Sequence, residues 1–134
     1  MEKDAQKDVS IINLLQPNTL EMGDLPSVEA VEGNPFKLQP SVKMTNEYGK
    51  VVPILGSSSR PWKVQAKLSP DSPSHATLLG NTTVTFNKGY AQFDDLAILG
   101  VGEYKLLFEV ISPKEASGFK LKSSTIQVCR FFLV

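Results

Sequence analysis

Two stretches of this chain alternate without a break. In "WKVQAKL" (62–68), the apolar Trp62, Val64, Ala66 and Leu68 are interleaved with Lys63, Gln65 and Lys67. In "YKLLFEV" (104–110), Tyr104, Leu106, Phe108 and Val110 recur at the same spacing. Successive side chains of an extended strand point to opposite faces, so a period of two buries one face and wets the other. A helix would need its apolar stripe every three to four residues, and no helical pattern of useful length occurs in this chain.

From Pro26 onwards the chain reads as strands separated by turns. "SVEAVEGNPFKLQPSVKMT" gives two extended pieces around "EGNP", with Val28, Ala30, Phe36, Leu38, Val42 and Met44 expected to face inward. Pro35 and Pro40 suit an edge strand or a bulge, because proline cannot donate to a ladder. "NEYGK" (46–50) is a turn in which Gly49 supplies the positive φ, and "SPDSPSH" (69–75) is a loop by composition. Short apolar runs then follow closely, and one last strand is expected from about Phe119 to Phe132.

The stretch "GNTTVTFNKGYAQFDDL" (80–96) holds two alternating runs joined by "NKG", where Asn87 and Gly89 tolerate left-handed backbone, so it reads as a β-hairpin. The tally is seven to nine short strands with frequent turn signals. No helical crossover is present to build a parallel sheet, so the expected fold is all-β, an antiparallel sandwich.

Residues 1–25 differ in texture. "DVSIINLLQPN" fits one short helix, with Asp8 as N-cap and Pro17 as its end, and fits equally the closing strand of a preceding unit. The expected organisation is therefore a linker or lead-in over 1–25 and one domain over 26–134, within the usual size of a single domain. A chain of 134 residues buries enough surface to fold without a metal or disulfide.

Charge narrows the function classes. Fourteen Lys and Arg balance fourteen Asp and Glu, which argues against a dedicated nucleic-acid binder. Lys114, Lys120, Lys122 and Arg130 crowd the C-terminal third, and a solvated strand face accounts for them better than a phosphate-binding patch. The single cysteine, Cys129, points to a reducing, intracellular setting, the nucleus included, with an extracellular one open if the chain is a fragment. No stretch reaches the ~20 apolar residues of a membrane helix, and "MEKDAQKDVS" lacks the character of a signal peptide.

Chemistry is sparse. Asp94 and Asp95 are neighbours on an extended run and point apart, so they do not form an acid–base pair. His75 has no second histidine for a zinc site. A Cys129–His75 nucleophilic pair is conceivable, but Cys129 in "TIQVCRFF" has the setting of a small hydrophobe. "GVG" (100–102) is too short for a dinucleotide fingerprint. Calcium would need clustered loop carboxylates, whereas Asp24, Glu32, Glu47, Asp71, Asp94, Asp95 and Glu103 are spread along the chain. No cofactor, metal or catalytic residue is expected. Asn81-Thr82-Thr83 satisfies the N-glycosylation acceptor rule, which makes Asn81 a candidate glycan acceptor.

"DLAILGVGEYKLLFEV" (95–110) resembles the tyrosine corner of immunoglobulin-like sandwiches, which would make Tyr104 the corner residue. In order, "GNPFKLQPSVKMTNEYGKVV", "WKVQAKL", "TLLGNTTVTFNKGYAQFDDLAI" and "GEYKLLFEV" resemble the segments of invasin-type and filamin-type immunoglobulin-like repeats, over about 26–128. Asn46 stands where the turn aspartate of such repeats is usual. The Cys…Trp…Cys arrangement of antibody domains is absent, although Trp62 is placed to act as a core tryptophan. The segments are similar also to those of large chromatin proteins with an SMC-type flexible hinge and of large ciliary and cell-surface receptors. The resemblance implies a Greek-key fold and a non-catalytic spacer or scaffold, one repeat of a larger protein, meeting protein partners or neighbouring domains and no small-molecule substrate. Expected docking edges are the proline-interrupted 35–45 segment and the apolar end "CRFFLV". The rival expectation is an extracellular adhesive domain that binds glycan or calcium.

Overall fold

A computed structural model describes residues 14–57, 59–73 and 75–131. The strands in chain order are β1 (Thr19–Met22), β2 (Glu29–Val31), β3 (Ser41–Thr45), β4 (Lys63–Leu68), β5 (Thr77–Leu79) and β6 (Thr83–Thr85). There follow β7 (Tyr90–Gln92), β8 (Ala97–Leu99), β9 (Gly102–Tyr104), β10 (Leu106–Ser112), β11 (Lys120–Lys122) and β12 (Ile126–Cys129). A single 3-10 turn, Lys114–Ala116, lies between β10 and β11. The chain is all-β, as the alternation requires.

The strands form open sheets with no barrel closure. One has the order β1-β3-β7 and another β11-β10-β4-β6, both antiparallel. A third, β2-β12-β9, contains a parallel pair between β2 and β12, and β5 pairs with β8 antiparallel. The first two sheets meet at one core. Leu20, Val42, Met44 and Ala91 come from one, and Val64, Ala66, Leu106, Phe108 and Val110 from the other. Phe93, just beyond β7, and Phe108 on β10 touch across this core with ring centroids 5.5 Å apart. Each such aromatic contributes about 1.5–3 kcal/mol by leaving water.

The alternating runs behave as their periodicity demands. Tyr104, Leu106, Phe108 and Val110 are all buried, as are Val64 and Ala66. Trp62 departs from the expected central role. It is half-buried at the core margin, 6.4 Å from the Phe86 ring and 6.0 Å from that of Phe119, and Phe93 and Phe108 hold the centre instead.

The lead-in is not a linker throughout. Leu20 is buried and β1 pairs with β3 along its whole length, from Thr19 opposite Thr45 to Met22 opposite Val42. The β1 strand escapes a periodicity search because its four residues supply only two inward side chains, Leu20 and Met22. As a result β3 is a central strand, and the 35–45 segment is not the free edge expected from its prolines. The helix expected from Asp8 to Pro17 falls largely outside the described residues.

The expected 83–93 hairpin is a turn without a hairpin. Lys88 (φ 53°) and Gly89 (φ 87°) take the two left-handed positions, and Asn87 and Tyr90 exchange backbone hydrogen bonds around them. That pair of conformations is a two-residue type I′ turn. The strands on either side then part company: β6 joins β4 and β7 joins β3, so the turn carries the chain from one sheet to the other. Phe86 and Phe93, on either side of the turn, are both buried in the core.

The last strand also breaks. Between β11 and β12 lies Ser123–Ser124–Thr125, with Ser123 buried. Its hydroxyl accepts from the Leu106 amide at 2.9 Å and donates to the Ser124 carbonyl at 2.7 Å. The interruption resets the alternation so that Ile126 and Val128 face the core, which an unbroken strand from Leu121 would prevent. Phe131 is exposed, and the remainder of the apolar ending lies outside the described residues.

Candidate functional site

Tyr104 is the best-anchored of the residues singled out in the sequence. It ends β9, is fully buried, and its hydroxyl donates to the Gly100 carbonyl at 2.8 Å with the Val101 carbonyl at 3.2 Å. Gly100 is needed because its φ of 128° disfavours any side chain, and a Cβ there would press on the tyrosine hydroxyl at 3.1 Å. Burial pushes the Tyr104 phenol above its ordinary value, and the nearby Glu32 carboxylate adds to this. The hydroxyl therefore stays protonated and acts as a donor.

The candidate chemical groups are not brought together. Asp94 and Asp95 are both exposed, and the Asp95 carboxylate caps the Asn81 amide at 2.8 Å. His75 is exposed with its Nε2 3.4 Å from the Val101 carbonyl, while Cys129 is half-buried on β12. Among the described residues no three His, Cys, Asp or Glu side chains are grouped to hold a metal ion. No helix among them is long and apolar enough to cross a membrane. Asn81 is exposed in the connection between β5 and β6.

The basic residues sort by element. Lys120 on β11 and Lys67 on β4 flank Glu109 of β10, at 3.5 and 3.9 Å from its carboxylate. Lys114 lies in the 3-10 turn and Arg130 beyond β12. Exposed Arg60 grips exposed Glu115 through both carboxylate oxygens at 2.9 Å.

Two features were missed in the sequence. Val28 and Leu38, expected inward, are 67% and 65% exposed, and Leu25 is exposed as well. Leu25 and Leu38 line a groove of about 650 Å³ that Asp24, Lys37 and Asp94 also border. Alternation fails here because Ser27 turns inward instead: its amide donates to the Leu38 carbonyl at 3.0 Å and its hydroxyl accepts the Leu38 amide at 2.8 Å. The second feature is Gln39. Its carboxamide accepts from the Leu96 amide at 2.9 Å and donates to the carbonyls of Phe36 (3.0 Å) and Leu96 (3.1 Å). One side chain thus joins segments 57 residues apart, and nothing in "KLQPS" signals it.

No protein-family model matches this chain, and no curated protein matches it. The likeness of 26–128 to immunoglobulin-like repeats therefore rests on the segments quoted for it.

Proposed function

We propose that this chain is a non-catalytic immunoglobulin-like module, a spacer or protein-interaction unit of a larger multidomain protein. The observation that carries the reading is the strand order. The chain passes between the two sheets that share the core from β3 to β4 and again from β6 to β7, while β2 lies parallel to β12. Crossing between sheets in this way is what a Greek-key sandwich of the immunoglobulin type does. The Tyr104–Gly100 hydrogen bond supports the same reading, since it matches the corner found in such sandwiches. The exposed Leu25, Val28 and Leu38 supply apolar area of the kind that neighbouring domains or protein partners cover.

The rival reading is an adhesive domain outside the cell that binds glycan or calcium. Thermal unfolding separates the two. A spacer melts in one cooperative transition whose midpoint is unmoved by Ca²⁺ or by a panel of oligosaccharides. A midpoint that climbs with ligand concentration, as binding to the native state requires, would favour the adhesive reading and sink the spacer. Copies of this strand pattern in the flanking sequence would support the multidomain arrangement.

A further inference from the structure

We propose that Asn81, when the chain passes through an oligosaccharide-transferring compartment, accepts an N-linked glycan that shields the uncharged free edge of the four-stranded sheet. The motif is Asn81-Thr82-Thr83, and the structure presents it for modification. Asn81 is exposed and lies outside the strand ladders. Its backbone amide is held by the Asp95 carboxylate at 2.8 Å. Its side-chain oxygen faces the Thr83 amide at 3.4 Å. The carboxamide nitrogen, the atom that carries the sugar, has no hydrogen-bond partner among the described residues. In the transfer, this nitrogen attacks the anomeric carbon of a lipid-pyrophosphate-linked oligosaccharide. A carbon–nitrogen bond forms, the nitrogen loses a proton, and the lipid pyrophosphate leaves with the electron pair of the broken carbon–oxygen bond.

The position gives the glycan a task. The sheet β11-β10-β4-β6 has two ends. The β11 end carries Lys120 and Lys122, the kind of charge that deters a second strand from pairing. The β6 end reads Thr83-Val84-Thr85 and has no charge. The Ala66 amide donates to the Thr82 carbonyl and the Phe86 amide to that of Trp62. Antiparallel alternation therefore turns the backbone groups of Thr83 and Thr85 away from β4. A glycan two residues before Thr83 covers that edge, and the reading holds whether or not the sheets form an immunoglobulin-like sandwich.

The test is translation behind a signal peptide with microsomes, followed by peptide-N-glycosidase. The expected result is a glycosidase-sensitive mobility shift that disappears in Asn81→Gln and Thr83→Ala and persists in Thr83→Ser. An unshifted wild-type chain beside a processed control glycoprotein overturns the assignment, as does a shift that survives Asn81→Gln. For the shielding role, secreted protein is trimmed to a single sugar and compared with the untrimmed form by sedimentation velocity. Self-association on trimming, reversed by Thr85→Lys, is expected, whereas trimmed protein that stays monomeric overturns the shield.

Discussion

The buried Tyr104 hydroxyl donates to the carbonyl of Gly100, four residues back, at 2.8 Å. Removing it strands a buried acceptor, which costs about 1–3 kcal/mol. Tyr104→Phe is expected to lower the unfolding free energy by that amount, read as a lower urea midpoint with an unchanged slope. Gly100→Ala is expected to cost stability as well, since it combines strain at a φ of 128° with pressure on the same hydroxyl. Chemical denaturation of the two variants checks both.

Gly89 and Lys88 share the turn but differ in tolerance. A Cβ at Gly89 would run into Val51 and the Val52 carbonyl, at a φ of 87°. Lys88, at φ 53°, already bears the cost of a left-handed side chain, about 1–2 kcal/mol. Gly89→Ala is expected to destabilise strongly, and Lys88→Asn to be neutral or mildly stabilising because asparagine tolerates that conformation. Melting temperatures of the two variants give the comparison.

Burial, not residue type, sets the cost of truncation. Phe108→Ala is expected to lose about 3–5 kcal/mol by opening a cavity against Phe93. Leu38→Ala and Val28→Ala, at exposed positions, are expected to stay within about 0.5 kcal/mol. Equilibrium unfolding of the three variants would refute the assignment of faces if Leu38→Ala cost as much as Phe108→Ala.

Gln39 offers a separate measure of a polar tie. Gln39→Leu leaves the Leu96 amide and carbonyl and the Phe36 carbonyl without their side-chain partner. The expected loss is about 1–3 kcal/mol, with faster amide exchange at Leu96 than in the parent. Exchange at Leu96 unchanged from the parent would show that the carboxamide holds nothing in place.

Acid should weaken the fold through two carboxyls. Glu115 is held below the ordinary carboxylate value by its own backbone amide and by Arg60. Asp71 is held below it by the Ser69 hydroxyl first and by Lys122 among others. A carboxyl lowered in the folded state contributes stability above its unfolded pKa, and that stability is lost as pH falls through the folded value. Both groups are exposed, so the contribution is small and screened by salt. Melting temperature followed between about pH 6 and pH 3 should fall less steeply in Glu115→Gln than in the parent.

Much of the candidate site was illegible in one dimension. The sequon at Asn81 and the tyrosine at 104 stand out as letters, yet the sequence does not say that β6 is a sheet end or that Gly100 supplies the acceptor. Gln39 and Ser27 gave no signal, because a side chain that bonds backbone 57 residues away, or that turns inward against the pattern, depends on where the chain returns. The same holds for Val28 and Leu38, whose apolar character is local and whose exposure is not.

Alternation at 62–68 and 104–110, with turn residues between short apolar runs, was enough to specify an all-β chain and most of its buried face. That information is local, since the pleat alone decides which side chains share a side. Which strand lies beside which was decided in three dimensions. Thr19–Met22 joined β3, and the runs on either side of Lys88 and Gly89 went to different sheets. Pairing partners are chosen by the burial of side chains far apart in the chain, such as Phe93 and Phe108, and that balance is struck only when the whole core closes.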